Sequence, residues 1–400
     1  MPTALPSTRT VRAAIGELPA RPIDSLTSLR GLLALWVAFY HFWKDAVALF
    51  PSADVATPVV AQGHFAVPVF FVLSGFVLAY NYASNLSALG AREYGRFLFL
   101  RAARIYPVHL ACLLAVLGMV CVCRIKGWPL TDAGYGRRDF VLNLLLAQTW
   151  VPHFHLNWNY PSWSISSEWF AYLLFPLLCA AVFRRINTRF QAHIFLGVCW
   201  VATIALYAFG DELPFRELLW VVPTFLAGAA MFACRSCSPS RMPLQCRYVP
   251  DLLLLVLAAV PLVTSGRVMI GLLLSGFLAL VYLLAFEGDN CSRLWTNRFA
   301  IFLGEISYSL YMAHTLAQKV CYKLLPAERL AGSHIITRVV VVLLYIGAIA
   351  IASLGMYYLI ERPSRRRLRK WTSRPNHAPN SAQCKRRERR ADSILIHHSF

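Results

Sequence analysis

The chain has 400 residues, of which 58% are hydrophobic and only 14% are charged, and its mean hydropathy is +0.53. Soluble globular domains carry more charge and less apolar material, so this composition excludes a soluble protein and predicts a helical protein that crosses a membrane many times. The formal net charge of +20 does not indicate nucleic-acid binding, because half of it lies in residues 362–400, which carry twelve Lys and Arg and two acids.

The predicted elements begin with a basic segment, 1–23, and end with a basic tail, 363–400. Both are expected in the cytoplasm, with the tail disordered against anionic lipid headgroups. Between them we expect one all-α membrane domain, 24–362. The segment 139–150 is too short to cross the bilayer and is predicted to be re-entrant or interfacial. Ten transmembrane helices are predicted, at 25–43, 65–83, 104–123, 163–183, 190–210, 216–234, 250–265, 268–286, 299–322 and 335–360.

Arg30 and His41 bracket ten uncharged residues of the first predicted helix. Because they are eleven residues apart, an α-helix places them on one stripe, about 16 Å from each other. An ionisable group inside a membrane is costly to keep there and is commonly functional. The alternative is a surface arginine and a histidine packed in the core, and the pair alone does not decide between the two.

Arg101 and Arg104 lie at the cytoplasmic mouth of the third predicted span, on neighbouring helical positions. The planar guanidinium group binds phosphate in a bidentate way, so this pair suits a multiply phosphorylated ligand. The alternative is contact with lipid phosphate. In the second span, Ser74 and Gly75 are predicted to permit close packing between helices.

Ser164 and Glu168 lie four residues apart at the start of the fourth predicted span, in a stretch rich in aromatic residues that includes Trp163. This spacing puts the hydroxyl and the carboxylate on one helix face, where both can reach one ligand. The alternative is a capping box at the helix start.

A further polar stretch, 304–314, opens the ninth predicted span and contains Tyr308 and His314. His314 has two open interpretations, a direct role in the site and a role in helix packing. Neither Cys234 with Cys237 nor the outer-loop histidines has enough further ligands nearby, so no metal site is expected.

Six motifs in order resemble the family-3 integral-membrane acyltransferases, which O-acetylate bacterial surface polysaccharides and related glycans. The resemblance covers about 20–365. The motifs are Arg30 to His41 with ten residues between, Phe-Phe-Val-Leu-Ser-Gly-Phe at 70–76, Arg101-x-x-Arg104 followed by Ile-Tyr-Pro, Trp-Ser-Ile-Ser-Ser-Glu at 163–168, Gly-Glu-Ile-Ser-Tyr-Ser-Leu-Tyr-Met-Ala-His at 304–314, and Ile-Glu-Arg-Pro at 360–363.

The resemblance implies an acyl-CoA donor, most often acetyl-CoA, bound from the cytoplasm, and a carbohydrate hydroxyl as acceptor on the other side. It implies His41 and Glu168 as catalytic residues and Arg30, Arg101 and Arg104 as donor-binding residues. We further assign acceptor binding to Trp163, Ser164, Tyr308 and His314. No permanently bound cofactor and no nucleic acid is expected, and the location implied is the bacterial inner membrane, whose bilayer is the other partner.

Two other classes of protein fit parts of the pattern. A multi-helix transporter or flippase would also bury polar groups among about ten helices, but the chain shows no internal repeat of the kind that many transporters carry. A membrane-bound sensor or scaffold would use the basic tail as a binding arm. Incorporation of acetyl groups into glycan separates both from an acyltransferase.

Overall fold

The computed structural model describes residues 23–82, 90–130, 135–152, 155–156, 158–236, 246–287 and 291–372. This part of the chain is helical and contains no strand. The helices that matter for the site are α1 (Asp24–Leu49), α2 (Ala66–Tyr82), α3 (Ala91–Ile125), α4 (Arg137–Leu144), α5 (Ser162–Arg185), α6 (Arg189–Phe209), α7 (Arg216–Ser236), α8 (Val249–Val263), α9 (Gly266–Glu287), α10 (Arg298–Leu324), α11 (Ile335–Gly355) and α12 (Arg362–Thr372).

The predicted class, an all-α polytopic membrane protein, is confirmed. Seven of the described helices are long and apolar enough to cross a membrane. Ten of the described helices coincide with the ten predicted spans. Three of them, α5, α8 and α10, are not among the seven, and each has a physical reason for falling short in length or hydropathy. α8 has only 15 residues, whereas α5 and α10 carry the polar motifs at 163–168 and 304–314, which lower their hydropathy.

The segment predicted to be re-entrant or interfacial forms the short helix α4 and a single 3-10 turn, Gln148–Trp150. Buried polar groups hold it in place. The ring of His109 on α3 donates from Nε2 to the carbonyl of Asn143 (2.8 Å) and accepts at Nδ1 from the amide of Asn159 (3.2 Å). Ser162 donates to the side-chain oxygen of Asn143 (3.0 Å). Every bond here fixes the loop that leads into α5.

Close helix crossings order the centre of the bundle. α1 packs most extensively against α10, and α2 packs most extensively against α7. At the second crossing a Cβ atom on Gly75 would lie 2.0 Å from the carbonyl oxygen of Phe225, which confirms the predicted close approach. At the first, a Cβ atom on Gly304 would lie 1.9 Å from the carbonyl oxygen of Thr27. The small residue at 304 therefore lets α10 touch the backbone of α1.

Two alanine substitutions at helical glycines should have opposite effects. Gly304→Ala should cost about 3 kcal/mol of unfolding free energy, because its methyl group meets backbone rather than a movable side chain. The methyl group added by Gly347→Ala on α11 has no atom within 4 Å of it. It should stabilise the protein by about 0.5 kcal/mol through helix propensity. Thermal unfolding in detergent measures both, and equal shifts would contradict the crossing.

The C-terminal boundary differs from the prediction. A π-helical turn, Met356–Glu361, joins α11 to α12, so the first ten residues of the tail expected to be disordered are helical. The reason is that α12 continues directly from a membrane helix and packs against α3 and the π-turn. The segments 1–22 and 373–400 lie outside the described residues.

Candidate active site

His41 lies on α1 with one ring nitrogen bonded and the other free. Its Nδ1 is 2.9 Å from the carbonyl oxygen of Val37, one turn earlier, and a carbonyl can only accept, so Nδ1 carries the proton. Nε2 is then the lone-pair nitrogen. It is buried and has no hydrogen-bond partner in the part of the chain that the structure describes. A buried basic nitrogen without a partner is available to a substrate proton.

His314 is the side chain that meets Nδ1 of His41. The Nε2 atom of His314 is 3.2 Å from Nδ1 of His41, and the two ring centroids are 4.8 Å apart. The other nitrogen of His314 donates to the carbonyl of Leu310 (3.3 Å). Gln318, one turn further along α10, donates to the carbonyl of His41 (2.5 Å). α10 therefore holds both the backbone and the ring of His41.

Two tyrosines pack edge-on against the His41 ring. The centroids of Tyr40 and Tyr160 lie 4.9 Å and 5.3 Å from it. Tyr160 is 37% exposed, so a side chain that reaches the surface packs directly on the His41 ring. Partial burial raises the pKa of the Tyr160 phenol, which keeps it a neutral hydrogen-bond donor at physiological pH.

The other end of the site is a cavity of about 140 Å³ between five helices. Its size and position follow from the α1–α10 crossing and from α2, α3 and α5 around it. Its polar lining consists of Arg30, Ser74, Arg101, Arg104, Ser164, Glu168, Tyr172, Ser307, Tyr308 and Tyr311. The three arginines singled out from the sequence thus converge on one space, although they come from two helices.

The arginines of this cavity are incompletely paired. Arg30 and Arg104 form no hydrogen bond or ion pair with any residue that the structure describes. Arg101 donates to the hydroxyl of Tyr82 (3.1 Å) and packs over its ring, while its Nε atom is buried without a partner. Buried cations are normally paired, so this cavity is suited to an anionic ligand.

Glu168 belongs to the arginine cavity and does not contact His41. Its Oε1 atom accepts hydrogen bonds from Ser74 (2.6 Å) and from Tyr172, one turn along α5. No hydrogen bond joins Glu168 to His41 in the part of the chain that the structure describes, and the side chain beside the His41 ring is His314. The reason is that α10, rather than α5, packs along the histidine-bearing face of α1.

The assigned acceptor-binding residues separate into different places. Ser164 lines the cavity with Glu168, as their spacing predicts, and its hydroxyl is 2.8 Å from that of Tyr311. Tyr308 also lines the cavity and donates to the carbonyl of Ile105 (2.5 Å). Trp163 packs instead against Trp220, with centroids 6.3 Å apart, and lies outside the cavity lining.

Sequence reasoning missed two hydroxyl groups of this site. Tyr172 lies four residues, one helical turn, after Glu168. Tyr311 lies three residues before His314, and the centroids of their two rings are 5.9 Å apart. The signal that could have found both is helical spacing, since each lies three or four residues from a candidate residue. Tyr311 is the group that stands between the arginine cavity and the histidine pair.

These features define an integral membrane protein with a cavity lined by three arginines and, on one of the same helices, a histidine whose Nε2 atom has no partner among the described residues. Residues 23–357 match the family model described as an acyltransferase domain. The chain therefore belongs to the family-3 acyltransferases, and the resemblance drawn from its motifs is confirmed.

Three relatives illustrate the family. The chain is 36% identical over 172 residues to acyltransferase MdmB of Streptomyces mycarofaciens, a match covering 42% of this chain and 41% of that relative. It is 29% identical over 211 residues to protein 2 in the picA locus of Rhizobium radiobacter, covering 50% and 100%. It is 22% identical over 310 residues to ORF330 of Acidianus two-tailed virus, whose name proposes an acetyltransferase, covering 74% and 83%.

The matched region thus spans about two fifths of the length of the Streptomyces relative. No solved structure matches the chain.

Proposed function

We propose that the protein is a membrane O-acyltransferase that moves an acyl group, acetyl in the first instance, from acyl-CoA to a hydroxyl of a cell-surface or lipid-linked carbohydrate. One observation carries this proposal. A single helix, α1, holds Arg30 beside a cavity and His41 about 16 Å away, and neither the Arg30 guanidinium nor Nε2 of His41 has a hydrogen-bond partner among the described residues, so a donor and an acceptor can be bound at opposite ends.

The orientation follows from charge. We place the arginine end and both chain termini in the cytoplasm of a bacterial inner membrane, because the positive-inside rule assigns the basic helix α12 to the cytoplasm. Acyl-CoA is made and kept in the cytoplasm, and its phosphates suit the unpaired guanidinium groups of Arg30 and Arg104.

The chemistry assigned to His41 is general-base catalysis. Its Nε2 takes the proton from the acceptor hydroxyl as the oxygen attacks the thioester carbonyl. The carbon–sulfur bond breaks, and the proton passes from Nε2 to the departing thiolate of CoA. Nδ1 keeps its proton throughout and donates it as a hydrogen bond to the Val37 carbonyl, which holds the ring in the correct tautomer.

His314 acts as a positioning residue in this scheme. His314→Leu should lower kcat about tenfold and leave the KM for acyl-CoA unchanged, because it removes an acceptor beside Nδ1 of His41 and touches no donor-binding arginine. His314→Gln, whose amide oxygen can accept the same hydrogen, should recover most of the rate. A change in KM without a change in kcat would contradict this role.

Proteoliposomes that contain the purified protein test the proposed function. Supplied with radiolabelled acetyl-CoA and a mixture of surface glycans, they should release CoA and transfer label to glycan. A transporter or scaffold predicts neither result. Mass spectrometry of surface glycans from a deletion strain should show the loss of one acyl ester, and unchanged glycans together with no CoA release would refute the proposal.

A further inference from the structure

A second basic cleft lies beside the arginine cavity, where α12 packs on α3. Its volume is about 30 Å³, and it is lined by Leu100, Arg101, Ala103, Arg104, Arg365 and Leu368. Arg101 and Arg104 line both spaces, so one pair of guanidinium groups joins them. The proposed function uses only the first space and leaves Arg365 without a role.

Arg365 is held toward this cleft by a chain of bonds from the interior. Ser309 on α10 donates to one carboxylate oxygen of Glu361 (2.6 Å), which is 2% exposed. The other carboxylate oxygen accepts from Arg365 (3.3 Å) one turn later. Arg366 and Arg367, the next residues of α12, are exposed. The helix therefore has an inward-facing arginine of fixed position and outward-facing arginines suited to lipid headgroups.

The charges in this region do not balance. The charged groups acting on Arg30 are Arg104, Arg365, Glu361 and Glu168. With Arg101, four guanidinium groups lie near two carboxylates among the described groups around Arg30, an excess of two positive charges around two spaces that share Arg101 and Arg104. A ligand with anionic groups at two separate positions satisfies this arrangement better than a single phosphate does.

We propose that the cleft at Arg365 binds a phosphate monoester that is separate from the pyrophosphate of the donor, and that Arg365 is the residue that selects for it. In an acyl-CoA this group is the 3′-phosphate of the ribose, while the pyrophosphate occupies the larger cavity. The inference rests on the proposed function, because acyl-CoA is the donor proposed there. A lipid headgroup phosphate has the same chemistry and is the other source that the experiment must separate.

The experiment compares two donors, acetyl-CoA and acetyl-3′-dephospho-CoA, in phosphatidylcholine vesicles that contain the full chain. The wild-type protein should have a KM about tenfold higher for the dephospho donor, the loss expected for one charge-assisted hydrogen bond. Arg365→Ala should raise the KM for acetyl-CoA about tenfold and leave that for the dephospho donor unchanged. Arg365→Lys should recover part of the loss. Arg366→Ala removes the same charge from the exposed face of α12 and should change neither KM.

Two results would overturn the inference. One is a wild-type protein that uses both donors equally well, a measurement that needs no variant to fold. The other is an Arg365→Ala effect that is the same for both donors or that appears only when phosphatidylglycerol is added, which would assign Arg365 to a lipid headgroup. If the protein turns over acetyl-CoA and gives either of these results, only the inference about the cleft is refuted. If it turns over neither donor, the proposed function is refuted as well.

Discussion

Replacing His41 with alanine should lower kcat for acyl transfer about 10³-fold, within the range that general acid–base catalysis supplies. The expected loss is large because Nε2 of His41 is a buried ring nitrogen with no partner in the described chain and is therefore available to the acceptor proton. The KM for acyl-CoA should change little, since the arginine cavity is about 16 Å away along α1.

His193→Ala is the matched control for this variant. His193 is an exposed histidine on α6 that bonds only to the carbonyl of Arg189 in its own helix. Its removal should leave turnover and membrane levels unchanged. A His41→Ala protein that accumulates normally and keeps more than a tenth of wild-type kcat would rule out His41 as the base.

Replacing Arg104 with alanine should raise the KM for acyl-CoA by about 10- to 100-fold, the range for losing one or two charge-assisted hydrogen bonds to phosphate. The reason is that its guanidinium lines both basic spaces and has no partner in the described part of the protein. Arg104→Lys should recover little, because an ammonium group cannot reproduce the planar fork.

Arg298→Ala provides the comparison for Arg104. Arg298 is an exposed arginine at the first position of α10, with no hydrogen bond in the described chain. The Arg298→Ala substitution should leave the KM for acyl-CoA unchanged. Equal effects of both substitutions would show that general positive charge, rather than a defined phosphate site, controls donor binding.

Local spacing along the chain predicted a large part of this structure. The positions of the helices follow from runs of apolar residues, and the common face of Ser164 and Glu168 follows from a separation of four residues. The placement of Arg30 and His41 on one helix follows in the same way. Each of these depends only on residues within about three helical turns.

Contacts between distant parts of the chain could not be predicted in this way. Glu168 bonds to Ser74, which lies 94 residues earlier, and His41 contacts His314, which lies 273 residues later. Whether Glu168 or His314 meets His41 depends on whether α5 or α10 packs beside α1. The packing of α10 there depends on the close backbone crossing at Gly304. The helix at the start of the tail, α12, also depends on a distant contact, because it packs against α3.

The position of Tyr311 bears on the electrical insulation of the membrane. Its hydroxyl bonds to that of Ser164 and its ring packs against Phe70 and His314, so the tyrosine layer formed by these residues lies between the arginine cavity and the histidine end. In the proposed orientation, a membrane voltage of 100 mV falling across this layer corresponds to about 2.3 kcal/mol for each unit charge that crosses. The proposed reaction brings the uncharged thioester end of the donor through the layer to His41, and this movement does not sense the field. Under the proposed function, the tyrosine layer therefore insulates the two ends of the site electrically while acyl groups are transferred.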